Sequence, residues 1–161
     1  MNRFSAILAA VIALPALSAH AASPASPSPL VGRWAIDVAT LPIPPESRPK
    51  AVTMEFNDVG NGSWKTDVEI TDPKGNVMHA HSMLATDGTP GPVNGEYGAN
   101  EAALKLPTRD VLVLQLVDHG TPASTRIYTV SADGKVLTET KAFFSREGTP
   151  ILQTSTFQRM P

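Results

Sequence analysis

The sequence predicts an all-β fold, an antiparallel up-and-down barrel of roughly nine strands. Three observations carry that prediction. Apolar and polar residues alternate with period two in short runs, as in Trp64-Lys65-Thr66-Asp67-Val68-Glu69-Ile70, where Trp64, Thr66, Val68 and Ile70 share one face and Lys65, Asp67 and Glu69 the other. Between the runs lie turn clusters, each with a Gly placed for positive φ: Asp72 to Asn76, Asp118 to Pro122, Ala132 to Lys135 and Arg146 to Pro150. No segment beyond residue 22 sustains the i, i+3, i+4 apolar spacing of a helix. Consecutive hairpins with this spacing favour a barrel over a sandwich, because closure also removes exposed edges.

The elements follow in order. Residues 1–21 read as a secretory signal peptide: Arg3, an apolar run from Phe4 to Leu17, then the small-residue exit Ser18-Ala19-His20-Ala21. The run is shorter than the ~20 residues of an anchored membrane helix. Residues 22–29, Ala-Ser-Pro-Ala-Ser-Pro-Ser-Pro, read as a disordered spacer, since their prolines and small side chains build no core. The domain is expected over residues 30–161, with strands at Arg33 to Val38, Ala51 to Asn57, Trp64 to Ile70, Val77 to Ala85, Ala103 to Leu106, Val111 to Val117, Ser124 to Val130, Val136 to Phe144 and Ile151 to Arg159. Pro42, Pro44, Pro45 and Pro49 predict an extended, helix-free loop from Leu41 to Pro49. A second long loop is predicted from Asp87 to Asn100, with one helical turn at Glu101-Ala102-Ala103.

Composition narrows the function classes. Basic residues number 13 against 15 acidic ones, and removal of Arg3 with the signal peptide makes the balance more acidic. Without a Lys/Arg cluster, neither a nucleic acid nor an anionic membrane surface is an expected partner. No membrane span is expected after the signal peptide. The chain contains no Cys, which removes disulfides, thiolate nucleophiles and Cys-ligated zinc. The expected location is the periplasm or the cell exterior.

Gly32-Arg33-Trp34 opens the first strand as G-x-W, and Phe157-Gln158-Arg159 closes the last. With these ends the chain resembles the calycins, the lipocalin-type barrel superfamily. The resemblance implies that Gly32, Trp34 and Arg159 form a structural signature, with Trp34 at the closed end of the barrel stacked beneath Arg159. More narrowly, Gly32 to Asp37, Asp87-Gly88 with Pro92-Val93-Asn94-Gly95, and Val130 to Thr138 are similar to small secreted bacterial lipocalin-like proteins. These motifs are turns and strand ends, so the resemblance implies a fold and carries no chemistry.

Candidate sites are sparse. His79 and His81, two apart on one strand, project from one face and form a candidate metal pair, with His119, Asp118 or Glu96 as third ligand; a solvated face or a polar barrel lining is the other reading. The sequence lacks a G-x-S-x-G elbow and a phosphate-cradling glycine loop, so no enzymatic activity and no cofactor are expected. Asp67 and Glu69 read as wet surface carboxylates. Leu112, Leu114 and Leu116 form one stripe of a strand whose other stripe, Val111, Val113, Gln115 and Val117, is also largely apolar. Such a strand is either packed on both sides or lines an apolar cavity. Met54, Phe56, Met83 and Phe144 are further candidate lining residues. The function expected from these features is a binding protein that holds a small apolar or amphipathic ligand in the barrel. Alternatives are an envelope protein that binds a protein partner or inhibits one through the 41–49 and 87–100 loops, and a His-based metal site.

Overall fold

The computed structural model describes residues 27–96 and 98–161. The expected signal peptide and residues 22–26 of the expected spacer lie outside the described residues. Ten antiparallel strands close into a barrel: β1 (Gly32–Ile36), β2 (Ala51–Gly60), β3 (Ser63–Thr71), β4 (Val77–Ala85), β5 (Asp87–Gly95), β6 (Glu101–Thr108), β7 (Val111–Asp118), β8 (Thr121–Val130), β9 (Val136–Phe144) and β10 (Pro150–Arg159). Each strand pairs with its sequence neighbours, and β1 joins β10 through Trp34↔Arg159, Ala35↔Gln158 and Ile36↔Phe157. The predicted all-β, up-and-down barrel is therefore the observed fold, with one strand more than the sequence suggested.

The extra strand is β5, which replaces the first part of the loop expected from 87 to 100. Its sequence, Asp-Gly-Thr-Pro-Gly-Pro-Val-Asn-Gly, reads against a strand because Pro lacks the ladder N–H and Gly weakens a strand interior. Pairing is correspondingly sparse: three residue pairs with β4 and four with β6, with an irregularity between Asp87 and Pro90. Closure of the barrel supplies a strand on either side, and glycine permits the close approach. A Cβ at Gly91 would sit 2.8 Å from Leu84 Cδ2, and one at Gly95 would sit 2.1 Å from the His79 carbonyl oxygen. The helical turn expected at Glu101 to Ala103 is instead the start of β6, which places Ala102 and Leu104 in the core. The Leu41–Pro49 loop is not wholly extended. One 3₁₀ turn, Val38–Thr40, precedes it and a second, Pro45–Ser47, lies within it, with Pro45 at the first helical position, where its missing N–H costs nothing.

Alternation along each strand builds the interior. Trp34, Phe56, Trp64, Leu84, Leu104, Leu112, Tyr128 and Leu137 are almost fully buried and fill the end of the barrel where the chain enters at Leu30. Phe56 packs against Trp64 and edge-on against Tyr128, with ring centroids 5.9 and 5.4 Å apart. Over this plug lies the signature that the resemblance implied. The Arg159 guanidinium sits 4.1 Å from the Trp34 ring centroid, and the indole Nε1 donates to the Leu30 carbonyl at 2.9 Å. Arg159 also donates to the carbonyls of Gly134, Val31 and Pro29. A Cβ at residue 32 would stand 2.5 Å from the Arg159 Nη1 atom, which is the physical reason for Gly in G-x-W. Residues 27 and 28, at the end of the expected spacer, are hydrogen-bonded at this end of the barrel: Arg109 donates to the Pro27 carbonyl at 3.0 Å, and the Ser28 hydroxyl donates to the Arg109 carbonyl.

The hairpin turns are held by carboxylates. Asp72 accepts from the Asn76 backbone and side-chain amides at 2.8 and 2.7 Å, and Asp133 from the Ser131 hydroxyl and the Lys135 amide at 2.6 and 3.1 Å. The Asn76 and Ser131 side chains chiefly hold these two carboxyls below the ordinary value of 3.8. A depressed carboxylate favours the folded state above its unfolded pKa, and that contribution disappears as pH falls through the lower folded value. Thermal melts are therefore expected to show little change from about pH 7 to about pH 5 and a decline below about pH 4, and a D72N/D133N double variant should decline less over the acid range. An identical acid limb in the two proteins would place the loss in other carboxylates.

Candidate functional site

The opposite end of the barrel is not filled. Above the aromatic plug a cavity of about 260 Å³ opens between the loops that follow β1, β3, β5, β7 and β9. Its apolar side chains come from two sides of the barrel, Val52 and Met54 from β2 with Val68 and Ile70 from β3, and across from them Leu114 and Leu116 from β7. Leu41, Ile43 and Pro49 line it from the proline-rich loop, which is thus turned over the mouth. Arg48 Nε fixes that loop internally by donating to the Ile43 carbonyl at 3.0 Å.

The stretch of wall made by β8, β9 and β10 carries polar side chains, and strand register explains how. Leu114, Arg126, Lys141 and Gln153 are successive cross-strand partners on β7, β8, β9 and β10 and form one layer; Leu112, Tyr128, Glu139 and Ser155 form the layer beneath. The side chains of these eight point inward, where Leu112 is in the plug and the other seven line the cavity. Glu139 is 6% exposed, and a single oxygen, Oε1, accepts from Arg126 Nη1 at 3.0 Å and from the Tyr128 hydroxyl at 2.9 Å. Burial first, then the Glu139 charge, pushes the Tyr128 phenol far up, so it keeps its proton and donates. Burial, followed by the neighbouring Arg126 charge, lowers the proton affinity of the Lys141 ammonium. Thr66, 6% exposed, also lines the cavity, and its buried hydroxyl has no hydrogen-bond partner.

Glu139 thus holds the polar wall together. Glu139→Ala is expected to cost about 2 kcal/mol in urea unfolding, less than the ~3–5 kcal/mol of a fully buried pair, because the Arg126 side chain keeps some exposure to the open cavity. That exposure is 21%, against 8% for the Glu139 side chain. A loss within about 0.5 kcal/mol of zero would mean that the contact is solvent-screened and contributes nothing.

The residues singled out from sequence divide cleanly. Met54, Leu114 and Leu116 line the cavity. Phe56 and Leu112 share its inner face but belong to the filled end below. Met83 and Phe144 point outward, 61% and 71% exposed, because Ser82 and Leu84 take the inner positions of β4 and Phe143 lies on the inward stripe of β9 with Glu139 and Lys141. His79 and His81 do share a face, as period two requires, but it is the outer one, beside Asp67 and Glu69. His79 Nδ1 stands 3.8 Å from a Glu69 oxygen, while His119 is paired with Asp118 at 2.7 Å. Among the described residues no group of three or more His, Asp or Glu side chains converges on a point that holds a metal ion, so the third ligand that the metal reading needed is not supplied. No helix among the described residues is long and apolar enough to cross a membrane.

Arg126, Tyr128, Glu139 and Lys141 went unremarked in the sequence. Leu137, Glu139, Lys141 and Phe143 form one stripe of β9 and Val136, Thr138, Thr140, Ala142 and Phe144 the other, so both stripes end in large apolar residues and the spacing alone does not say which one faces the barrel.

No protein-family model and no curated protein matches the chain. Fold and site together define a closed antiparallel barrel plugged at one end, with an amphipathic cavity open at the other.

Proposed function

We propose that this protein is a non-enzymatic, lipocalin-like binding protein of the calycin type, exported to the periplasm or beyond, that holds a small amphipathic molecule in its barrel. The observation that carries the reading is the unfilled interior. In a chain whose lower barrel is filled by Trp34, Phe56 and Trp64, a cavity of about 260 Å³ lined by apolar side chains from β2, β3 and β7 and by polar groups from β8, β9 and β10 is unlike a leftover packing gap. The Gly32, Trp34 and Arg159 arrangement supports the calycin assignment, and the first residues of the chain support export. The alternative, a loop-mediated protein-binding module, has less support. Residues 87–95 are a strand of the barrel, and Leu41, Ile43 and Pro49 face the cavity.

Native mass spectrometry of the protein purified without detergent from its own source tests the reading. The expected result is a noncovalent adduct of small-molecule mass that departs on denaturation. A bare mass, together with failure to bind any added alkyl probe, would overturn it.

A further inference from the structure

Strands β8, β9 and β10 turn their charges inward. Arg126, Glu139 and Lys141 line the cavity, and Arg159 covers Trp34 at the closed end. Side chains alternate along a strand, so the outer positions of these three strands carry no charged residue. They hold Ile127 and Thr129 from β8, Thr140 and Phe144 from β9, and Leu152 and Thr154 from β10. Phe144 and Leu152, 71% and 76% exposed, are diagonal neighbours across the Ala142↔Leu152 and Phe144↔Pro150 pairs, and Ile127, also exposed, is paired with Thr140. The outer face of β2, β3 and β4 is the opposite case, with Glu55, Lys65, Asp67 and Glu69 beside His79 and His81. Charged residues return at the turns that bound the uncharged face, Asp133 and Lys135 before β9 and Arg146 and Glu147 after it. An apolar, hydroxyl-bearing centre inside a charged rim is the anatomy of a protein interface. We propose that this face packs against the same face of a second copy of the chain, giving a two-fold symmetric dimer whatever the cavity holds.

Two arguments select a second copy as the occupant. The first is charge: in a two-fold interface each patch meets itself. On the outer face of β2, β3 and β4 that would set carboxylates near their own copies, whereas the face of β8, β9 and β10 has no charge to repel or to bury without a counterion. Threonine hydroxyls both donate and accept, so a face that carries them can satisfy itself, as carboxylates or ammonium groups alone cannot. The second argument is area. The three strands are nine or ten residues long, and at about 3.4 Å per residue and about 4.8 Å between strands they make a face of about 450 Å². The pair covers about 900 Å² before the relief of the side chains is counted, which is the low end of specific interfaces. A reversible dimer with a Kd of about 10–100 μM is expected at that size.

Sedimentation velocity of the purified protein tests the proposal. The wild type should pass from monomer to dimer between about 1 μM and about 500 μM. Leu152→Lys and Ile127→Lys should each raise the Kd at least about tenfold, because the new ammonium meets the partner without a counterion. The chain is net acidic, so an added Lys weakens the general repulsion between copies and the loss reports the contact itself. Met83→Lys, the same change at an exposed apolar residue of β4, should leave the Kd within about threefold. All three sites are on the surface, and thermal melts check that each variant keeps its fold. A wild type that stays monomeric throughout the range, or a dimer that both interface variants leave intact, would overturn the proposal. A monomer that floats with phosphatidylcholine vesicles, and no longer does so as Leu152→Lys, would overturn it too and give the face to a lipid surface.

Discussion

Replacing Trp34 with Ala is expected to cost about 4 kcal/mol of folding free energy and about 12 °C in melting temperature, the largest effect of any single substitution considered. Trp34 is fully buried, its Nε1 hydrogen satisfies the Leu30 carbonyl, and its upper face carries the Arg159 guanidinium. Truncation leaves a cavity the size of an indole between β1 and β10, where the barrel is closed by only three residue pairs. It also removes the surface on which Arg159 rests, and with it the geometry that brings the Gly134, Val31 and Pro29 carbonyls to one side chain. The cation–ring contact itself is a minor part, about 0.5–1 kcal/mol at an exposed site; lost burial and the unfilled volume dominate. Urea unfolding of the two proteins measures the difference. A loss below about 1 kcal/mol would show that the closed end relaxes around the missing ring and that Trp34 does not anchor it.

Gly95→Ala is expected to cost about 3 kcal/mol, an unusual penalty for adding one methyl group to an exposed position. The residue has φ +136°, and the added Cβ would lie 2.1 Å from the His79 carbonyl oxygen and 2.6 Å from the Ala80 Cα, both backbone atoms that no rotamer change can move aside. Relief requires β4 and β5 to part at Ala80↔Gly95, one of only three pairs that hold them. Gly98→Ala provides the comparison: φ is +57°, nothing lies within 4 Å of the new Cβ, and the cost should be about 1 kcal/mol or less. Equal melting temperatures for the two variants would show that β5 is held too loosely to register the collision.

What the sequence made legible follows from what each feature depends on. Alternation along a strand and a Gly in a turn are local, so the run from Trp64 to Ile70 and the four glycine turns were readable, and chaining them gave a barrel. The G-x-W opening and the terminal Arg became interpretable only through resemblance, and the structure supplies the reason in the collision that any side chain at residue 32 would have with Arg159. β5 was illegible because its strand character comes from its neighbours: closure provides partners to a segment whose own glycines and prolines argue against pairing.

The cavity divided along the same line. Met54, Leu114 and Leu116 were found because an apolar residue on the buried stripe of a strand is an ordinary expectation. Met83 and Phe144 were misplaced because a large apolar side chain was taken to point inward, and a one-residue shift sends it out. Glu139 and Lys141 were passed over for the converse reason, charge being taken to point outward. Their stripe holds Leu137 and Phe143 and the opposite one Val136 and Phe144, so the pattern along β9 does not decide the direction; register with β8 and β10 does. Whether an inner position lines a cavity or a plug, which separates Leu114 from Leu112, depends on how far along the barrel axis it falls, and no local pattern records that.

The most direct test of the central claim, that the open end of the barrel receives a small amphipathic molecule, is a titration of isotope-labelled protein with octanoate, followed through its backbone amide resonances. Saturable shifts are expected at Met54, Val68, Leu114, Leu116 and Lys141, with little change at outward-facing Met83 and Leu152. Shifts confined to the outer face, or rising without saturation across the surface, would contradict it and leave the cavity without a ligand.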